Sequence, residues 1–214
     1  MYTKPGTIAE AAVNIILTHI ITYAINRLTS GLHRDQPTLN ILPPHPTRKN
    51  MEPITYKYTS TKEYVDEFPV AYRQWRADSH CNLIHGYAFS MKFWFGTNDL
   101  DVRNWAADYG GLKELKAVLK DQFDHTLLVA EDDPELETYK ILESKNMAKL
   151  TILPRLGCEG LADMLYSYVN GVYIPDYWGP AEAERLWCYR VEVRETQSNM
   201  AFREGHREWN EELI

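Results

Sequence analysis

The stretch HCNLIHGYAFSMKFWF, residues 80–95, constrains the fold more than any other. Tyr87, Phe89, Met91, Phe93 and Phe95 fall on alternate positions, with Ala88, Ser90, Lys92 and Trp94 between them. Successive side chains of a strand point to opposite faces, so this spacing predicts a strand with one strongly apolar face. Such a face must be covered by something else in the fold. The same stretch opens with His80, Cys81 and His85, which raises the question of chemistry at the mouth of the strand.

The remaining periodicities supply the cover. GLKELKAVLKDQF (111–123) places Leu112, Leu115, Val118, Leu119 and Phe123 at helical spacing, and EGLADMLYSYVNGV (159–172) does so through Leu161, Met164, Leu165, Tyr168 and Val169. RLWCYRVEVRET (185–196) alternates again, with Trp187, Tyr189, Val191 and Val193 inward and Glu192 and Arg194 on a solvated face. ITYKYTS (54–60) and FPVAYRQW (68–75) read as two further strands, the second starting or lying at an edge because of Pro69. KLTIL is a short strand before the second helix, and GVYIPDYWGPAEAE a loop after it. The order strand, strand, helix, short strand, helix, strand predicts an α+β fold: an antiparallel sheet with two helices on one face. So small a sheet leaves apolar surface over, which predicts oligomerisation.

Residues 1–50 have a different character. Ile8 to Leu28 is apolar-rich but holds Glu10, Asn14, His19 and Asn26, and its uncharged run falls short of the ~20 residues a spanning helix needs. No secretory cleavage pattern follows it. An amphipathic helix over 8–28 that packs on a partner is expected, rather than a membrane span. Residues 29–50, with four prolines, cannot hold a regular element and form a linker. The expected organisation is therefore an appendage, 1–50, on a core domain, 51–214.

Net charge of −7 argues against a general nucleic-acid grip, which needs a basic face for phosphates. Three cysteines, Cys81, Cys158 and Cys188, make no disulfide framework and fit a reducing, cytoplasmic compartment.

Each chemistry-bearing residue has a plain reading beside a functional one. A lone cysteine is usually a small buried hydrophobe. Cys81, however, has His80 and His85 close in sequence, and an imidazolium or metal nearby would raise its thiolate fraction. Asp124-His125 closes the first helix, where a cation is favourable in any case. It also offers an acid and base pair if the fold brings it to Cys81. Glu195 ends the last strand; it is either solvated or able to hold an amidine-like edge by two hydrogen bonds.

Together these positions resemble a family. Cys81 with His85-Gly86-Tyr87, then Asp-Tyr-Gly-Gly-Leu-Lys (108–113), Asp-His-Thr-Leu-Leu (124–128), Gly-Cys-Glu-Gly (157–160) and Val-Arg-Glu-Thr (193–196) look like the 6-pyruvoyl-tetrahydropterin and 6-carboxytetrahydropterin synthases, in a form most similar to phage-encoded members. The likeness runs from about residue 54 to about 203. It implies the tunnelling fold, in which sheets from several subunits join into a barrel with sites between subunits. It implies a lyase acting on 7,8-dihydroneopterin triphosphate, in pterin or queuosine and 7-deazapurine biosynthesis. By match Cys81 is the base, Asp124 and His125 assist it, Glu195 anchors the pterin and Glu159 is a further active-site glutamate. The family also holds zinc through three histidines. Here only His85 matches; Tyr72 and Tyr87 stand at the other two positions, and His80 is the nearest substitute. Three readings follow: a synthase with a rebuilt zinc site on His80 and His85, a metal-free pterin binder, or a structural oligomer. The number of matched positions favours the first.

Overall fold

A computed structural model describes residues 55–205. The expected helix over 8–28 and linker over 29–50 lie outside the described residues.

The alternating stretch is β2 (His85–Thr97), and Phe89, Met91, Phe93 and Phe95 along it are fully buried. Burying each contributes roughly 1.5–3 kcal/mol, so this one face is a large part of the core. It pairs antiparallel with β1 (Tyr58–Tyr72), from Tyr58 opposite Thr97 to Tyr72 opposite His85. The two strands expected over 54–60 and 68–75 are thus one strand, interrupted by a bulge between Tyr64 and Phe68. Local side chains make that bulge. Asp66, at φ 51°, donates its N–H to Ser90 Oγ at 2.9 Å, and Ser90 Oγ returns a bond to the Asp66 carboxylate at 3.0 Å. Pro69 sits directly after the bulge, inside a central strand rather than at a start or edge, where its missing N–H disturbs an already irregular ladder.

Six strands lie in the order β4-β3-β1-β2-β5-β6. β5 (Trp187–Arg194) and β6 (Met200–Glu204) extend the sheet antiparallel. β3 (Thr126–Ala130) and β4 (Leu150–Leu153) instead join it parallel, so the sheet is mixed rather than wholly antiparallel. β3 was not legible as a strand because TLLVA is a short apolar run without alternation, equally suited to a helix end. α1 (Lys113–Phe123) buries Leu115, Leu119 and Phe123 over β1 and β3, and α3 (Cys158–Tyr168) buries Leu161, Ala162 and Leu165 over β5 and β6. These are the two expected helices. A third, α2 (Leu136–Ser144), links β3 to β4. The expected loop after α3 is a π-helical stretch, Val169–Trp178, followed by α4 (Pro180–Arg185). Tertiary packing holds that stretch: Tyr173 and Ile174 are buried, and the Tyr173 hydroxyl donates to the Gly111 carbonyl.

The sheet's other face carries charge. Arg194 bonds Glu192 at 2.5 Å, Arg190 bonds Glu204 at 3.1 Å and Lys92 bonds Glu63 at 3.2 Å, while the Arg190 guanidinium stacks on Trp94 and Phe202. Glu192, expected to be solvated, is only 5% exposed, because two arginines and their stacking partners close over it. Among the described residues no helix is long and apolar enough to cross a membrane.

Candidate functional site

β1 ends at Tyr72, and the chain then turns back through residues 79–84 into β2. Gln74 donates its N–H to the Cys81 carbonyl at 2.8 Å, and the Cys81 N–H donates to Ser79 Oγ at 3.3 Å. A single 3-10 turn, His80–Asn82, completes the return. Cys81 is therefore held by backbone bonds at the end of the sheet, half-buried and unpaired with another thiol.

Below it lies a cleft of about 420 Å³. Tyr72, Gln74, Cys81, His85 and Tyr87 form one wall. Gly157, Cys158 and Glu159, at the start of α3, form the second. Glu195 with the β5–β6 turn, through Ser198, Asn199 and Met200, forms the third. The turn is set by Thr196, whose Oγ1 accepts from Ser198 and Asn199 N–H at 3.2 and 3.1 Å. Gly157 is required where it stands: φ is +88°, and a Cβ there would come within 2.7 Å of Gln74 Nε2. Glu159 is exposed in the first turn of α3, where the helix dipole favours a carboxylate.

Sequence reasoning singled out Cys81, His85, Glu159 and Glu195, and these four line one cleft. It missed Gln74, Cys158, Ser198, Asn199 and Met200 as lining residues. The turn residues after Glu195 were readable as a turn; nothing local marks Gln74. Burial, then Glu195 and Glu159, push the Cys158 thiol up to about 12, which disfavours its thiolate.

Three expected participants, His80, Asp124 and His125, do not line the cleft. His80 is exposed in the turn. Asp124 and His125 sit at the end of α1, with Asp124 Oδ1 2.6 Å from His125 Nδ1 and the imidazole 85% exposed. The pair is nevertheless built. His125 holds φ 55°, an unfavourable conformation for a residue with a Cβ, fixed by its N–H donating to the Pro69 carbonyl at 2.9 Å.

The donor chemistry does not fit zinc. Tyr72, His85 and Tyr87 pack as an aromatic cluster, with Tyr72 and Tyr87 ring centroids 5.2 and 5.3 Å from that of His85. Zinc would need the phenolates, yet burial and the Glu195 carboxylate both hold the Tyr72 hydroxyl protonated well above its ordinary range. Burial and Glu195 raise Tyr87 as well. His85 has its Nδ1 2.7 Å from the Leu83 carbonyl, which assigns the proton to Nδ1 and leaves Nε2 as the one imidazole acceptor here. Among the described residues no three of His, Cys, Asp and Glu group to hold a metal, and the expected His80–His85 pair is broken by the outward turn at His80.

Comparison with known proteins places this geometry. The family model of 6-pyruvoyl tetrahydropterin synthase matches residues 61–206. A 6-carboxy-5,6,7,8-tetrahydropterin synthase from Rickettsia conorii is 28% identical over 71 residues, which is 33% of this chain and 51% of that protein. The match therefore spans about half the length of that relative. A solved structure of an uncharacterized protein from Wolinella succinogenes superposes with a TM-score of 0.57 at 17% identity, covering 70% of this chain and 98% of its own; that likeness shows the fold alone. The 6-pyruvoyl tetrahydropterin synthase of Plasmodium falciparum superposes at a TM-score of 0.49 and 12% identity, over 72% of this chain and 100% of its own, too loosely to carry weight.

Proposed function

Because the chain belongs to the 6-pyruvoyl tetrahydropterin synthase family, we propose that its cleft takes 7,8-dihydroneopterin triphosphate and converts it as a 6-carboxytetrahydropterin synthase-like lyase, in pterin or queuosine and 7-deazapurine biosynthesis. One observation carries this reading: Cys81, Glu159 and Glu195, far apart in sequence, converge on a single cleft. In this reading the Cys81 thiolate takes a proton from the substrate side chain. Glu195 holds the N–H edge of the heterocycle, and Glu159 meets the substrate opposite Cys81. Without a zinc ligand set, hydrogen-bond donors of the cleft orient the side-chain oxygens.

Asp124-His125 completes the site from a second copy of the chain. An exposed, strained, hydrogen-bonded acid–base pair outside its own cleft is what such sharing requires. The working unit is then a homo-oligomer in the cytoplasm, with residues 1–50 an appendage outside the catalytic domain.

The test is subunit mixing. Purified full-length protein is incubated with 7,8-dihydroneopterin triphosphate and the products are read by chromatography and mass. Cys81→Ser and His125→Ala should each be inactive alone, and activity should return when the two variants are unfolded and refolded together. Turnover by Cys81→Ser would remove the thiol from the mechanism. Recovery of no activity on mixing would place Asp124-His125 outside the shared site.

A second reading, a pterin binder without turnover, is favoured by the Tyr72–His85–Tyr87 cluster standing where a metal would be held. Tight binding of a pterin by a protein that turns over no substrate would select it.

A further inference from the structure

Two polar groups of the cleft are left unused by the protein itself. His85 and Tyr87 are two residues apart on β2, so their side chains take the same face, and both line the cleft together with Cys81. Their rings stand edge to face with centroids 5.3 Å apart. The Tyr87 ring also stacks on Phe89 at 6.4 Å and packs against Tyr72 at 6.2 Å, so its neighbours fix its direction. Among the described residues the Tyr72 hydroxyl is taken by Glu195, whereas the Tyr87 hydroxyl makes no hydrogen bond. Burial, then Glu195, Cys81 and Cys158, hold the Tyr87 phenol above its ordinary value, so it keeps its proton and is a donor. His85 is the complement: its Nδ1 is held by the Leu83 carbonyl, and its Nε2 is an acceptor.

A neighbouring donor and acceptor match a vicinal diol, in which one hydroxyl oxygen accepts while the next hydroxyl donates. We infer that Tyr87 and His85 form a metal-free pair that reads such a diol: the Tyr87 O–H donates to one side-chain hydroxyl of the bound heterocycle, and His85 Nε2 accepts from the adjacent one. This rests on the pterin reading above and deepens it, because it assigns the substrate's hydroxylated side chain to residues of this chain. It also answers the mismatch at the expected metal positions. One phenol and one imidazole recognise the two oxygens by hydrogen bonds, where a cation would have bound both directly. The pair shares a wall of the cleft with Cys81, so a diol held there lies beside the thiol. A ligand without the diol keeps only its ring contacts.

The experiment measures equilibrium binding of neopterin and of 6-methylpterin, by calorimetry or fluorescence, to the full-length protein after treatment with a chelator. The two ligands share a heterocycle, and only neopterin carries adjacent hydroxyls. The wild type should prefer neopterin about tenfold or more, the lower part of the range for two neutral hydrogen bonds. Tyr87→Phe keeps the ring and its packing. It should bring the preference to about threefold or less and leave the affinity for 6-methylpterin unmoved, which a merely structural role for the hydroxyl would not do. His85→Phe should lower the same ratio. A ratio equal to that of the wild type in either variant overturns the pair while leaving the pterin reading intact. So does a wild-type ratio near one, or a preference that appears only when zinc is added back, and neither of these needs a variant to fold. Binding of neither pteridine to the wild type overturns the pterin reading, and the pair with it.

Discussion

Replacing Asp133 with Asn perturbs the contact that fixes the end of β1, and its effect can be worked from the structure. The Asp133 side chain is 1% exposed and takes a two-pronged hydrogen bond from Arg73, with Oδ1 to Nη2 at 2.6 Å and Oδ2 to Nε at 2.9 Å. It also accepts the Glu135 N–H at 2.9 Å. Arg73 is followed by Gln74, whose N–H holds the Cys81 turn, so this pair supports the site as well as the fold. An asparagine keeps one acceptor but presents an NH2 group to the guanidinium. One charge-assisted bond is lost and a buried charge loses its partner, which together cost on the order of 3 kcal/mol or more when no water enters. The Arg73 side chain is 22% exposed, so rehydration reduces this to about 2–3 kcal/mol. For a chain of this size that is a fall in Tm of roughly 5–10 °C. The pH dependence follows from the same groups. Burial opposes ionisation of Asp133, but the Arg73 fork and the Glu135 N–H outweigh it and hold the carboxyl below its ordinary value. A depressed folded value means the stabilisation is fully present above the unfolded pKa near ~3.9 and is lost as pH falls through the folded value. Urea unfolding of wild type and Asp133→Asn at pH 7, 5 and 3.5 should show a gap that is constant between the first two and narrower at the third. A Tm within about 1 °C of wild type at pH 7, or a gap that does not narrow in acid, would refute the reasoning.

The other expectations are briefer. Glu192→Gln strips the carboxylate from between Arg190 and Arg194 and should cost about 1–3 kcal/mol, read as a lower urea midpoint with an unchanged slope. His125→Gly relieves the left-handed backbone and should leave stability unchanged or raised by up to about 1 kcal/mol while abolishing turnover; a variant that loses stability would show that the imidazole packs structurally. Cys81→Ser should lower turnover at least a hundredfold yet bind neopterin as wild type does, checked by product assay and calorimetry on one preparation. Zinc added in excess and then removed by desalting should leave less than a tenth of an equivalent per chain and no change in Tm, and one equivalent retained would overturn the reading of Tyr72 and Tyr87 as protonated side chains.

Much of the fold was written locally. The alternation from Tyr87 to Phe95, the helical spacing in 111–123 and the alternation of 187–193 are periodicities of a single element, and each formed the element it predicted. In β5, however, Cys188 is buried in place of Trp187 and Tyr189, beside the irregularity opposite Trp94 and Phe95. What failed was whatever depended on a partner in space. Residues 54–60 and 68–75 looked like two strands because Asp66 and Glu67 interrupt the pattern, and only Ser90, across the sheet, turns that interruption into a bulge. Glu192 looked solvated because polar residues alternate with apolar ones in β5; the arginines that bury it belong to its own strand, and the aromatic groups Arg190 stacks on come from β2 and β6.

The site divides the same way. The family resemblance, more than residue types alone, singled out Cys81, Glu159 and Glu195, since a thiol or a carboxylate taken by itself is as easily structural. The same resemblance set two tyrosines, Tyr72 and Tyr87, at positions where the family holds metal. Only the tertiary structure decided what those tyrosines do, because a phenol's proton depends on burial and on the group it meets. Tyr72 is buried against aromatic rings and bonded to Glu195, 123 positions away in sequence. It likewise decided that Asp124-His125 stands outside the cleft of its own chain. Periodicity sets which face a side chain takes on its own element, whereas the distance between elements is set by packing, to which no local pattern is sensitive.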